Sequence, residues 1–305
     1  LLTLEFIIQA SVAMVATDQL RAEKLFSMKG YIAVITGGGT GIGLMASQSL
    51  AANGAKVYIT GRRMEALENA AKTHSPAQGG SIIPAGPCDV TSKEDLENLV
   101  TEISKKEKYI DLLITNAGIS GPKAEPVDED ATKLKEILFN SESFSEWSTT
   151  FNTNVSAVYF TTVAFLPLLQ AAKEAHTHFS PSVIVISSMS GIMRHAQGHF
   201  SYNAAKAATV HLSKLMSFEF KKAGIRVNSI APGYFPSEMT TNESDKNQKS
   251  ELSEEKIQEK GHVPAGRAGS DEEMGMGVLF LARNRYVNGE IIAIDGGVLL
   301  EMPGR

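Results

Sequence analysis

Cysteine is almost absent from this chain, since its 305 residues include one, Cys88. A single cysteine excludes an intrachain disulfide and fits a reducing compartment, so we expect a cytoplasmic protein. Cys88 follows a strand-like segment, and we interpret it as a buried structural thiol rather than a nucleophile.

Runs of positive charge are missing as well. The formal net charge is −5, and no block of lysine or arginine could follow a phosphate backbone. Nucleic acid is therefore excluded as an expected partner. The histidine pairs His176/His178 and His195/His199 have no acidic or cysteine neighbours to complete a metal's ligand set, so we expect solvated loop histidines and no metal.

Membrane-spanning segments are also lacking. Residues 147–172 carry no charge, but they include Asn152, Asn154 and Pro167, and polar groups are costly in lipid. Residues 6–17 are apolar but too short to cross a bilayer, and no basic segment precedes them as in a secretory signal. We expect no membrane span.

Residues 1–28 precede the first strand and are not accounted for by the rest of the fold. We predict that they form an N-terminal helical extension, which packs on the body of the protein or on another subunit.

The rest of the chain, residues 29–305, shows no linker, repeat or low-complexity tract and is predicted to be one domain. Strand-like segments alternate with helical ones, which indicates an α/β fold: a Rossmann-type, doubly wound parallel sheet of about seven strands. The predicted strands are residues 31–36, 56–60, 81–86, 110–115, 182–187, 225–230 and 290–295.

Two polar segments, residues 123–147 and 241–261, look like additions to this alternation. The second lies where a lid over a substrate would be placed, and a solvated loop is the alternative.

A glycine-rich turn follows the first strand. It contains Gly37, Thr40, Gly41, Ile42 and Gly43 and leads into a helical segment. Glycine lets the backbone approach a pyrophosphate closely, and the helix that begins there directs free N–H groups at the phosphate charge. The spacing is not G-x-G-x-x-G, and a plain flexible turn is the alternative, but the strand before it and the helix after it predict a dinucleotide site.

The second strand is not followed by an acid. A carboxylate there would bind the ribose hydroxyls of NAD, whereas this chain has Gly61-Arg62-Arg63. Two guanidinium groups can bind a 2′-phosphate through forked hydrogen bonds, which favours NADPH over NADH. The alternative is that Arg62 and Arg63 merely solvate the start of the next helix.

Tyr202 and Lys206 lie four residues apart and so on one face of a helix. The ammonium group would favour the ionised phenol, and lowering a tyrosine pKa from about 10 toward 7 needs roughly 4 kcal/mol from this cation and a cofactor charge. Tyr202 would then be an acid usable at neutral pH. The pair alone is a weak signal, because such spacing is common on solvated helices.

Several motifs in one order resemble the short-chain dehydrogenase/reductase family over roughly residues 29–300. They are Thr36-Gly-Gly-Gly-Thr-Gly-Ile-Gly43, Asn116-Ala117-Gly118, Ser188, Tyr202-x-x-x-Lys206, Pro232-Gly233 and Asp295-Gly-Gly297. The chain is most similar in character to fungal-type reductases resembling 3-oxoacyl-carrier-protein reductases, including those of rhamnolipid synthesis.

The resemblance implies a catalytic set of Ser188, Tyr202, Lys206 and Asn154. In this family the serine and tyrosine hold a carbonyl oxygen while the nicotinamide delivers hydride, and the tyrosine gives up a proton. Lys206 would steady the tyrosinate and bind the nicotinamide ribose, and Asn154 would anchor a water. Ser190 is a rival to Ser188, which we prefer because it directly follows the strand.

The resemblance also implies further cofactor contacts. Asp89 would contact adenine beside Val90, the Asn116-Ala117-Gly118 turn would support the cofactor, and Pro232-Gly233 would lie beside the nicotinamide. Ser237 replaces a threonine that bonds the carboxamide, and a substrate contact from His195 or His199 is conceivable.

These observations predict NADPH-dependent reduction of a fairly apolar ketone, such as a 3-oxoacyl thioester or a polyketide intermediate. One alternative is an NAD(P)-dependent alcohol or polyol dehydrogenase. Another is a non-catalytic NADPH-binding sensor or scaffold, which has no chemical need for the full catalytic set. The apolar helices around residues 147–172 and 202–221 predict a homodimer or homotetramer.

Overall fold

The structure, a computed structural model, describes residues 17–176, 179–241 and 243–302. Most of the predicted extension therefore lies outside the described residues. Its described part includes helix α1 (Ala22–Leu25), which Arg283 holds against the body by donating from Nε to the Leu25 carbonyl at 2.8 Å.

Within the described residues, seven parallel strands form one sheet in the order β3-β2-β1-β4-β5-β6-β7. The bounds are β1 Ile32–Thr36, β2 Lys56–Thr60, β3 Ser81–Pro84, β4 Leu112–Thr115, β5 Ser182–Ile186, β6 Arg226–Pro232 and β7 Ile291–Ile294. The predicted fold class is confirmed, and the predicted strand ends differ by a few residues at most.

Helices connect the strands and cover both faces of the sheet. They are α2 Gly41–Ala52, α3 Met64–His74, α4 Lys93–Ser104, α5 Ala131–Ser141, α6 Phe144–Phe151, α7 Ala157–Ala175, α8 Phe200–Phe220, α9 Glu238–Thr241, α10 Glu254–Gln258, α11 Asp271–Arg283 and α12 Val298–Glu301. Two apolar cores result, one on each face, and this explains why β1, β4, β5 and β6 are buried along their whole length.

The direction of winding reverses between β1 and β4. From β1 the chain moves outward through β2 and β3, and it then returns to place β4 on the other side of β1, with Thr36 paired to Thr115. In open α/β sheets, the crevice beyond the carboxyl ends of the strands at such a point is where ligands bind. The glycine turn after Thr36 and the Asn116 turn after Thr115 both lie there.

The stretch from Phe144 to Ala175 is the one part of the described chain with the length and apolar composition to cross a membrane. It consists of α6, a π-helical turn (Asn152–Ser156) and α7. Asn154, Thr161 and Thr162 are buried within it, and α7 packs against α4, β4 and β5. Packing inside the fold accounts for its apolar character.

The two polar additions have different structures. The first contains α5, whose residues are all at least partly exposed, so it adds little to the core. The second continues from α9 to α10 and returns to the sheet's carboxyl edge, where it borders the cleft described below.

Candidate active site

A cleft of about 1590 Å³ runs along the carboxyl edge of the sheet. Nearly all the predicted site residues line it: Gly37, Thr40, Gly41, Ile42, Arg62, Arg63, Asp89, Val90, Asn116, Ala117, Gly118, Ser188, Tyr202, Lys206, Pro232, Gly233 and Ser237. Gly43 and Asn154 are not at its surface and lie directly behind the wall.

The glycine turn leaves no room for side chains. Gly37 and Gly41 have left-handed φ values of 65° and 50°, and a Cβ on Gly41 would lie 2.8 Å from that of Ser237. A Cβ on Gly43 would overlap the Gly37 carbonyl. Thr40 precedes α2 in extended conformation, and its side chain does not cap the helix, so the N-terminal amides of α2 face the cleft. This cradle of backbone suits a pyrophosphate.

Asn116 holds the glycine turn in place. Its Nδ2 donates to the carbonyls of Thr36 and Gly37, both at 3.0 Å, while its own N–H donates to Thr36 Oγ1. The turn after β4 thus fixes the turn after β1 across the reversal point.

Ser188, Tyr202 and Lys206 meet in the cleft. The 3₁₀ turn after β5 (Met189–Gly191) presents Ser188, and the first turns of α8 present the other two side chains. The Ser188 hydroxyl lies close enough to the Tyr202 phenol to influence its pKa. Lys206 is 4% exposed, and its Nζ donates to the Ile186 carbonyl at 3.0 Å and lies 5.7 Å from the centre of the Tyr202 ring.

The predicted lowering of the Tyr202 pKa, which needs both the Lys206 cation and a cofactor charge, is not produced by the chain's own groups. Burial raises the pKa of the phenol, and the nearby Ser188 hydroxyl lowers it by less. Lys206 does not counter this, because its ammonium group is directed at the Ile186 carbonyl and is itself desolvated, which lowers its pKa to about 8. Any lowering of the Tyr202 pKa needs the charge of a bound cofactor.

Asn154 is fixed from two sides behind this group. Its side chain makes two hydrogen bonds with the backbone of Ile119: Oδ1 accepts from the N–H at 3.0 Å, and Nδ2 donates to the carbonyl at 2.8 Å. Its backbone carbonyl accepts from Thr209 Oγ1 on α8. The π-helical turn displaces the backbone here, and such bulges are frequent at functional sites. A Cβ on Gly118 would lie 2.8 Å from Asn154 Oδ1 and 3.7 Å from Lys206 Nζ, so only glycine fits between them.

The three neighbouring serines have different surroundings. Ser187 Oγ is buried and bonded to Ser229 Oγ and the Ile230 carbonyl, in agreement with a structural role. Ser188 Oγ accepts from the Ser190 N–H at 3.1 Å and also meets Tyr202. The contact with the phenol favours Ser188 over Ser190.

Glu238 is a site residue that the sequence did not reveal. Its carboxylate accepts from Arg63 Nη2 at 2.7 Å, so the end of the cleft lined by Arg62 and Arg63 contains an acid after all. The sequence around the second strand could not reveal this acid, because Glu238 lies 175 residues beyond Arg63. Arg62 lies beside Asp89, whose pKa is lowered mainly by hydrogen bonds from Thr91.

Gln197, Tyr234 and His262 form a hydrogen-bonded group at the other end of the cleft. Gln197 Nε2 donates to Tyr234 Oη at 2.9 Å, and Tyr234 Oη lies 2.9 Å from His262 Nε2. His262 Nδ1 is 2.6 Å from the Lys260 carbonyl and must donate to it, so Nε2 accepts from the tyrosine hydroxyl. Gln197 has a φ of 52°, an uncommon value for glutamine, which directs its side chain into this group.

The predicted substrate-side residues lie at this end. His195 and His199 line the cleft, as do Leu252, Lys256, Glu259 and Lys260 from the second addition. That addition therefore borders the cleft as a lid does and is not merely a solvated loop.

A family model described as short chain dehydrogenase matches residues 31–248. The chain belongs to the short-chain dehydrogenase family. Members of this family are oxidoreductases that bind NAD(P). In this short-chain dehydrogenase the glycine cradle, the Asn116 turn and the Ser188–Tyr202–Lys206 group line one cleft.

Relatives in other organisms extend over most of the chain. The short-chain dehydrogenase/reductase PhomF of Diaporthe leptostromiformis is 40% identical over 94% of this chain and 97% of its own length. A rhamnolipids biosynthesis 3-oxoacyl-[acyl-carrier-protein] reductase of Pseudomonas aeruginosa is 33% identical over 89% of this chain and 97% of its own. The predicted similarity to both groups is confirmed.

Solved structures show the same fold. An RhlG/NADP active-site complex from Pseudomonas aeruginosa superposes with a TM-score of 0.71 at 31% identity, covering 90% of this chain and 98% of that one. A short-chain type dehydrogenase/reductase from Mycobacterium marinum gives the same TM-score at 28% identity, with 90% and 97% covered.

Cys88 and His176 lie away from the chemistry of this short-chain dehydrogenase. Burial raises the pKa of the Cys88 thiol to about 11, which keeps it protonated, as expected for a structural thiol. His176 is not a free loop histidine: its Nε2 is 3.5 Å from the buried Asp111 carboxylate, while His178 lies outside the described residues. Among the residues described, no three His, Cys, Asp or Glu side chains cluster as metal ligands would.

Proposed function

We propose that this short-chain dehydrogenase reduces a ketone to an alcohol with NADPH. The observation that carries the proposal is that Ser188, Tyr202 and Lys206 line the same cleft as the glycine cradle. A sensor or scaffold would need the cradle but not the hydroxyl pair.

The residues have separable tasks. Bound NADPH supplies a hydride to the carbonyl carbon. Ser188 and Tyr202 donate hydrogen bonds to the carbonyl oxygen, which stabilises the negative charge that develops on it, and Tyr202 transfers its proton to that oxygen. Stabilising the resulting tyrosinate requires the Lys206 ammonium group to turn from the Ile186 carbonyl toward the phenol. Asn154 keeps the backbone around Ile119 and Gly118 in position beside it.

Without a bound cofactor the Tyr202 phenol is protonated, because burial raises its pKa, and it can therefore serve as the proton donor of a reduction. Oxidation of an alcohol would instead begin from the tyrosinate. Arg62 and Arg63 beside the adenosine end of the cleft support NADPH as the cofactor, with Asp89 and Val90 toward the adenine.

The wall of the cleft and the relatives support one class of substrate. Apolar side chains of Ile119, Met189, Phe235, Leu252 and Met302 line it, with Lys256 and Lys260 on the lid. Such a cleft suits an apolar acyl chain that ends in a polar or anionic carrier, as in a 3-oxoacyl thioester or a polyketide intermediate. We place this reaction in the cytoplasm, where the unpaired Cys88 stays reduced.

A panel of ketones and 3-oxoacyl thioesters, with NADPH consumption as the readout, tests this function. We expect Tyr202→Phe to lower turnover by about three orders of magnitude, because the proton donor is lost, while NADPH binding is kept. Ser188→Ala should be severely impaired.

Ser190→Ala is the matched control and should be the milder of the two serine variants. Unchanged turnover in Tyr202→Phe would reject the mechanism, and the reverse order of the serine variants would assign the wrong serine.

A further inference from the structure

The adenosine end of the cleft holds one anion already. Arg63 Nη2 donates to Glu238 Oε2 at 2.7 Å, and the other oxygen of that carboxylate accepts from Ser244 Oγ at 2.8 Å. Burial alone raises the pKa of Glu238, but the hydrogen bonds from Arg63 and Ser244 outweigh it and hold the pKa below its usual range. Glu238 is therefore an anion at neutral pH.

This carboxylate is held in place by the segment that follows it. Residues 246–248 are tied to α3, the helix that begins directly after Arg63. Asn69 Nδ2 donates to the Lys246 carbonyl and to Gln248 Oε1, both at 2.8 Å, and His74 Nε2 lies 2.7 Å from the Asn247 carbonyl. The pairing of Arg63 with Glu238 is thus one of several contacts that join the same two parts of the chain.

The two arginines are therefore not equivalent. Arg63 can donate to a phosphate only by sharing its guanidinium group with Glu238 or by releasing it. Arg62 has Asp89 as an electrostatic neighbour, but the hydrogen bonds to that carboxylate come from Thr91. The carboxylate of Glu238 also supplies the acceptor that the end of β2 lacks, and a ribose 2′-hydroxyl needs such an acceptor.

We infer that Glu238 sets the cofactor selectivity of this enzyme: it competes with a 2′-phosphate for Arg63 and accepts a hydrogen bond from the 2′-hydroxyl when that phosphate is absent. Arg62 is then the main partner of the phosphate. The inference rests on the proposed NADPH-dependent reduction, and it implies a preference for NADPH that is smaller than two unpaired arginines would give.

Calorimetric titration with 2′,5′-ADP, 5′-AMP, NADPH and NADH tests this role without turnover. We expect Glu238→Gln to bind 2′,5′-ADP and NADPH about tenfold more tightly than the unmodified protein, because Arg63 no longer has a competing anion. The same variant should bind NADH and 5′-AMP more weakly. Glu259→Gln, which removes a different carboxylate from the wall of the cleft, is the control. It should change neither the ratio of NADPH to NADH affinity nor the ratio of 2′,5′-ADP to 5′-AMP affinity.

A double-mutant cycle identifies the partner. In an Arg63→Ala background, Glu238→Gln should no longer tighten 2′,5′-ADP, since the competition is for that guanidinium group. Arg62→Ala should weaken 2′,5′-ADP more than Arg63→Ala does.

The inference would be overturned if Glu238→Gln left the ratio of 2′,5′-ADP to 5′-AMP affinity unchanged. It would also be overturned if Glu238→Gln tightened 2′,5′-ADP equally with and without Arg63, or if neither 2′,5′-ADP nor 5′-AMP bound the unmodified protein. Circular dichroism of each variant separates these results from misfolding. If the binding ratios shift as expected but no ketone is reduced, the proposed reaction fails while the role of Glu238 stands.

Discussion

At the residue scale, Lys206 combines a functional position with an energetic cost. Its pKa is about 8 in the folded protein against 10.5 in the unfolded chain, so the folded state binds fewer protons between these values and stability rises with pH there. The cost is present in full below pH 8 and amounts to at most about 3 kcal/mol.

We therefore expect Lys206→Met to unfold at higher urea concentration than the unmodified protein at pH 7, although it should be inactive. The difference in unfolding free energy should shrink as the pH is raised to 10. The exposed Lys214→Met on the same helix should show no such trend. A difference for Lys206→Met that stays constant from pH 7 to 10 would contradict the burial argument.

The sequence predicted most of the site residues but not the state of each. Tyr202, Lys206 and the glycine turn were readable because their spacing along one helix or one turn fixes their geometry. The pKa of Tyr202 was not, because it depends on burial and on the direction of the Lys206 ammonium group toward Ile186. Glu238 was missed because its partner is distant in sequence.

At the scale of elements, the C-terminal end of α11 contacts the buried guanidinium group of Arg226. Arg226, which is 4% exposed, donates from β6 to the carbonyls of Leu281, Ala282, Asn284 and Val287. The contacts with Leu281 and Ala282 satisfy carbonyls in the last turn of the helix, and those with Asn284 and Val287 fix the chain just beyond it.

Arg226→Met should lower the free energy of unfolding by about 3 kcal/mol, because the buried carbonyls of Leu281 and Ala282 lose their donor. Arg226→Lys should recover only part of the loss. Urea unfolding measures both. Arg267→Met, at the other end of the same helix, removes an exposed ion pair with Glu273 and should have a much smaller effect; equal losses at the two ends would refute the capping role.

The elements themselves could be read from the sequence because apolar runs bounded by turns alternate with helical patterns. The exact ends of the strands could not be read in this way, because hydrogen bonds between residues distant in sequence determine them. The chain at Asp111 is fixed by its carboxylate, which accepts from the Ile32 N–H at 2.8 Å, and β4 begins only after it. The π-helical turn at Asn154 could not be predicted either, because apolar spacing with a period of 3.6 residues indicates only a regular α-helix.

At the scale of the whole molecule, α7 and α8 each expose large apolar side chains: Tyr159 and Phe160 on α7, and Leu215 and Phe218 on α8. Family members are usually oligomeric, and covering these faces with a second copy would remove apolar area from water. We expect a homodimer or homotetramer by light scattering coupled to gel filtration.

Leu215→Glu and Phe218→Glu should shift the mass toward the monomer, because burying a charge in the interface is costly. Phe144→Glu is the control, since Phe144 is 95% exposed on a different element. A monomer mass for the unmodified protein at micromolar concentration would reject the assembly and leave the catalytic proposal intact.

The contact between Arg63 and Glu238 also has a consequence for the order of events during synthesis. At roughly 5–20 residues per second, about 10–35 s separate the addition of Arg63 from that of Glu238 on the ribosome. During that interval the glycine turn and both arginines are already part of the nascent chain, while the carboxylate that will pair with Arg63 does not yet exist. The Arg63 guanidinium group, which later pairs with Glu238, is therefore open to any anion in its surroundings while the second half of the protein is being made.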